Sequence, residues 1–141
     1  TVDRAGSHQI MEYRESSYTP WGASQEEVLE DEEDHYDNGV ENLKQFAKDP
    51  EQLAAFQEIF DRVMPNCLKR AFGRLEGADN DFCLAHGLKR NKTEAIVNRY
   101  LEEMRGHMQG TGLMFPPMPA FDEINCELAE STREILLSMQ R

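Results

Sequence analysis

The chain has 141 residues, of which 39% are hydrophobic and 30% charged, and its formal net charge is −12. That length makes one domain with a buried core the default, and an acidic chain is a poor non-specific binder of nucleic acid, because phosphate contacts need Lys and Arg. No stretch is long and apolar enough to span a bilayer, and three widely spaced cysteines, Cys67, Cys83 and Cys126, read as reduced thiols rather than a disulfide framework.

The charge is uneven. Residues 1–40 hold 11 acids against 2 bases, whereas residues 62–105 hold 9 bases against 6 acids. The first residues lack the apolar core of a signal peptide, so the expected setting is a soluble intracellular protein.

Residues 1–24 show neither helical nor strand periodicity, and Gly6, Pro20 and Gly22 interrupt them. They are nonetheless richer in aromatics than a solvated tail. The expectation is an extended arm lying on its own domain or on a partner, with Tyr13, Tyr18 and Trp21 as anchors. Pro20 fixes its own φ and biases Thr19 toward extended backbone, so Trp21 is expected to be buried on one surface or the other. Residues 24–37 carry eight acids and no base. Ser24 with Glu27 suits a short capped helix, and the remainder reads as a solvated acidic linker, with an acidic patch for a basic partner or a weak cation site as the functional alternatives.

From Val40 the apolar spacing becomes helical, through Leu43, Phe46 and Ala47. Asp49-Pro50-Glu51 places an acceptor at the N-cap, a proline at N1 and an acid in the first turn. Leu53, Phe56, Phe60, Val63 and Met64 then line one core face, which Pro65 is expected to end or kink. A further short helix is expected to carry Cys67, Leu68, Ala71, Phe72 and Leu75. A turn follows at 76–80, with Asp79 or Asn80 as the next N-cap.

The best-formed local unit runs from Asp79 to Met104. Gly87 suits a helix end that needs positive φ. Asn91 and Glu94 have capping-box spacing, and Ile96, Val97, Tyr100, Leu101 and Met104 fall on one helical stripe. A short helix, a turn and a capped helix resemble the helix-turn-helix of DNA binders, and NKTEAIV resembles the second helix of ribbon-helix-helix repressors. Each resemblance covers about 20 residues. It implies that Lys89, Arg90, Lys92, Asn98 and Arg99 would face DNA. An αα-hairpin that packs the core is the alternative.

Residues 106–121, with three glycines and three prolines, read as one long loop. Such loops are uncommon and tend to be functional. Phe115, Met118 and Phe121 are its candidate partner contacts, and FPPMPAF favours polyproline II. Asp122 is expected to start a last helix bearing Ile124, Leu128, Ile135, Leu136 and Met139.

Catalytic signatures are missing: there is no GxSxG, GxxxxGK[ST] or GxGxxG. Glu32 and His35 form an ExxH without the second copy that di-metal bundles use. Glu103 and His107 read as a surface pair, and Asp79-Asn80-Asp81 is too short for a calcium loop. The sequence therefore points to an all-α protein of five or six helices, with an extended acidic N-terminal arm over 1–39 and a helical domain over 40–141. The expected role is a non-catalytic adaptor or assembly subunit with protein partners, no catalytic residues, no metal or cofactor, and no membrane. Small helical subunits with adhesive arms are common in bacteriophage and viral assemblies, which extends the expected setting to a virion. Sequence-specific DNA binding through 79–104 is the alternative.

Overall fold

A computed structural model describes residues 2–140. Those residues form seven helices and no strand: α1 (Val2–Arg14), α2 (Thr19–Phe46), α3 (Pro50–Ala71), α4 (Ala78–Ala85), α5 (Thr93–Met108), α6 (Met118–Glu123) and α7 (Glu130–Met139). No helix among the described residues is long and apolar enough to cross a membrane.

The expected extended arm is instead a helical hairpin, α1 against α2. The boundary anticipated at 39/40 falls inside α2, which runs unbroken for 28 residues. Three physical facts explain the difference. Pro20 lies in the first turn of α2, where no backbone N–H is needed. The acidic run sits mostly on the outer face, while Gln25, Leu29, Glu32, Tyr36, Val40 and Leu43 turn inward at helical spacing. The inward face of α1 is mostly polar, with Ala5, Ser7, His8 and Glu12 buried, so it leaves no apolar stripe to read. Gly22 is required at the hairpin's closed end. A Cβ there would lie 2.6 Å from the backbone oxygen of Arg14.

Helix α3 begins as its sequence dictates. Asp49 caps it by accepting from the backbone N–H groups of Glu51 (2.9 Å) and Gln52 (3.4 Å). Pro65 neither ends it nor starts a new helix. It lies inside α3, buried in the core beside Met64 and Leu68. Tertiary packing there offsets the one intrahelical hydrogen bond a proline removes.

Helix α5 is the core's centre, with Thr93, Ile96, Val97, Tyr100, Leu101, Met104 and Met108 all buried. Tyr100 is fully buried, its ring edge-on to His8 and 5.4 Å from Phe72. Its hydroxyl donates to the Met64 sulfur at 3.7 Å. The long loop expected over 106–121 is shorter, because α5 continues to Met108 and α6 begins at Met118. The helix expected from Asp122 is likewise displaced: Asp122 lies within α6, and α7 starts at Glu130.

Helices α1 and α5 meet through opposite charges in opposite order. Arg4 and His8 near the start of α1 face Glu103 near the end of α5, while Glu12 near the end of α1 faces Arg99 nearer the start of α5.

Two substitutions test this packing. Phe60, 3% exposed, should cost about 3–5 kcal/mol when changed to Ala. Gly22→Ala should cost about 1–3 kcal/mol by pushing the Arg14 carbonyl away. Both are read from chemical unfolding midpoints. A near-neutral Gly22→Ala would show that the two helices are not in this close approach.

Candidate functional site

Three regions carry the chemistry of the described surface: a polar network with a cavity beside it, the 79–104 unit, and an exposed aromatic corner.

The polar network centres on Glu103. Arg4 grips its carboxylate with two bonds, 2.6 Å from Nε and 3.0 Å from the guanidinium nitrogen Nη2, and His8 Nε2 lies 2.9 Å from Oε2. The Arg4 guanidinium also stacks 4.5 Å above the Tyr36 ring, and the Tyr36 hydroxyl is hydrogen-bonded to His107 Nε2. Burial raises the affinity of the Glu103 carboxyl for its proton, but Arg4, Tyr36 and His8 together more than offset this and hold its pKa below the usual range. Burial, reinforced by the Glu103 charge, pushes the Tyr36 phenol up. Burial also pulls His8 down, against the pull of Glu103. With Glu103 accepting at Nε2, the neutral His8 carries its proton there, and Nδ1 is buried without a partner among the described residues.

Beside this network is a cavity of about 290 Å³. Its walls are apolar (Val40, Leu43, Phe46, Phe56, Phe60 and Leu113), and Asp3, Arg4, His35, Tyr36 and His107 form its polar side. A larger groove of about 880 Å³ runs past the starts of α4, α5 and α7. It mixes Arg74, Lys92 and Arg133 with Glu76, Asp81, Glu94 and Glu127, so its charge selects no ligand class. Neither buried thiol is poised as a nucleophile. Burial raises Cys67, and it pushes Cys126 up to about 11.

In the 79–104 unit, Gly87 has the expected positive φ, +66°. The caps differ from expectation. Gly77, not Asp79 or Asn80, precedes α4, and Lys92 precedes α5 with no side-chain cap. Asn91 does not cap α5. Its side-chain amide donates to both Glu12 oxygens at 3.1 Å, and its backbone N–H donates at 2.9 Å. A buried carboxylate needs donors more than a solvated helix end does.

The residues expected to face DNA are also mostly engaged within the chain. Lys89 is 4% exposed and donates to Asn80 (2.9 Å) and Thr93 (3.0 Å). Arg90 pairs with Glu15 and Arg99 with Glu12. Asn98 donates to Ser131 and accepts from Thr132. Lys92 is exposed, and its side chain makes no hydrogen bond or ion pair among the described residues. The connection between α4 and α5 spans residues 86–92, longer than the three or four residues of a helix-turn-helix.

The loop anchors face inward. Phe115 is 4% exposed, Phe121 is 0% exposed, and Met118 is half-buried against the core. Their apolar surface is covered by the chain itself. The arm residues do the reverse. Trp21 is not buried but 48% exposed, touching Tyr13 edge-on at 6.0 Å, and Tyr18 is 61% exposed. Tyr18 at the N-cap of α2 and Trp21 in its first turn both carry their rings outward.

Nearby, Ser17 ties this turn to the next unit through its N–H to Gly87 O (2.8 Å) and its hydroxyl to His86 O (2.7 Å). Phe82, 54% exposed, stacks on His86 at 4.0 Å. Tyr18, Trp21 and Phe82 are each exposed, and the Ser17 bonds join the two segments that carry them into one aromatic corner.

Arg4, His8, Glu12 and Tyr36 were not anticipated from the sequence. The signal was present, since Arg4, His8 and Glu12 recur every four residues, but it is legible only once the segment is taken as a helix. The chain matches no protein-family model, no curated protein and no solved structure.

Glu12 gives a pH test. Burial raises its pKa, and the bonds from Arg99 and Asn91 outweigh that to leave it lowered. A carboxyl depressed in the folded state stabilises the fold above its unfolded pKa, and that stability is lost as pH falls through the folded value. Glu12→Gln should therefore flatten the decline in Tm between about pH 5 and pH 2. Parallel curves for the two proteins would show that Glu12 is not held as described.

Proposed function

We propose that the protein is a non-catalytic interaction protein, an adaptor or assembly subunit, that docks through the aromatic corner and the outer face of α2. The observation that carries this reading is that Tyr18, Trp21 and Phe82 are all exposed, on two segments that Ser17 ties to each other. Exposed aromatic clusters mark interaction sites, and Trp and Tyr are the commonest energetic anchors at interfaces.

The chemistry of the partner follows from what adjoins the corner. Glu26, Glu27, Glu30, Asp31, Glu33 and Asp34 are all exposed along α2 beyond Trp21. A complementary surface is basic, with an apolar pocket for the indole. Opposite charges speed encounter and set orientation, and the buried rings supply affinity. Such a subunit would work in the cytoplasm or within a virion.

The test compares binding and folding. Trp21→Ala should weaken capture of the partner by about 2 kcal/mol or more, roughly thirtyfold, and leave Tm nearly unchanged because the ring is half-exposed. Replacing Glu26, Glu27, Glu30 and Asp31 by their amides should slow association and reduce its salt dependence. Unaltered capture by both variants sinks the docking surface. Salt-sensitive retention of duplex DNA that is lost in Lys92→Ala would instead favour the nucleic-acid reading.

A further inference from the structure

We propose that Asp3, Glu32 and His35 bind a divalent cation of the zinc class at the polar side of the 290 Å³ cavity. Glu32 and His35 are three residues apart on α2 and so share a face. Asp3 lies in the first turn of α1, which packs along α2 and completes the set that the ExxH spacing alone leaves short. One ligand atom from each side chain lies within 4.8 Å of the other two. Two donors on one ion, with bonds of about 2.0–2.2 Å, stand roughly 3–4 Å apart, so small side-chain rotations close the site.

The cluster is more than a patch of acids. Glu32 Oε2 is buried and has no hydrogen-bond partner among the described residues. A buried carboxylate oxygen without a donor or cation carries a desolvation cost that nothing in the fold repays. No side-chain cation of the described residues forms an ion pair with Asp3 or Glu32, because Arg4, the neighbouring base, is committed to Glu103. The exposed acids Asp31, Glu33 and Asp34 raise the local concentration of cations without themselves belonging to the cluster.

The donor set defines the ion class. Two carboxylates and one imidazole suit zinc, cobalt or manganese, whereas calcium prefers six to eight oxygens. Three protein ligands leave at least one coordination position for water or a guest. Asp3 and His35 themselves line the cavity beside Tyr36 and His107. An open position there would meet the polar head of a small apolar molecule. Bound metal would also join α1 to the middle of α2.

Titration of the full chain with zinc chloride alone, followed by calorimetry and by Tm, tests the site. The expected result is one ion per chain and a rise in Tm. Asp3→Asn, Glu32→Gln and His35→Ala should each weaken binding by about tenfold or more. Asp3 and His35 are exposed, so their variants stay folded and keep the test decisive. Glu33→Gln removes the same charge from an exposed neighbour outside the cluster and should weaken binding far less than Glu32→Gln does. No saturable binding to the wild-type chain overturns the proposal. So does binding that survives Asp3→Asn and His35→Ala, or that Glu33→Gln weakens as much as Glu32→Gln does.

Discussion

The arrangement of this fold depends on the charge-reversed contact between α1 and α5. Read from its start, α1 presents the Arg4 cation with the His8 donor beside it, and then a carboxylate. Along the same line α5 presents Glu103 and then Arg99, and Asn91 follows just before the helix begins. Only the antiparallel pairing matches the signs. Reversing α1 would set Arg4 near Arg99 and Glu12 near Glu103, and like-charge repulsion disfavours both pairs. Buried ion pairs contribute little net stability compared with apolar replacements, and their better-attested role is to fix register. Here that register also places Tyr36 and His107 together and closes the hairpin over the core.

Apolar periodicity made the centre of the molecule legible and its edge illegible. Asp49-Pro50-Glu51, the Phe60 face of α3 and the Ile96–Met104 stripe all followed from local rules, because capping, proline placement and apolar burial agree there. Helix α1 escaped because its buried face is Ala5, Ser7, His8 and Glu12, which can only be inside if α5 supplies partners. That information is tertiary. Pro20 and Pro65 show the same limit from the other side. A proline reads locally as a breaker, yet one opens a helix and the other is packed within one. Phe115 and Phe121 needed cover, as their composition indicates, and the core rather than a partner provides it.

The candidate site was legible only in fragments. Tyr18 and Trp21 stood out by residue type, but their outward direction depends on where α2 starts. Glu32 and His35 stood out by spacing, while Asp3, thirty residues away in sequence, comes beside them through the hairpin. The acidic run divides between two roles on one helix. Its inward member, Glu32, has a buried oxygen with no partner among the described residues, and its outward members give the surface its sign.

The chain's one tryptophan lies at the rim and not in the core. Its half-solvated indole is already close to the environment it would meet in the unfolded chain. Intrinsic emission is therefore a poor optical gauge of global unfolding in this protein, which the far-ultraviolet signal of its helices follows directly. The same indole, edge-on to Tyr13 at the closed end of the hairpin, acts as a built-in local reporter. Its spectrum registers whatever covers that corner and is almost blind to the distant core.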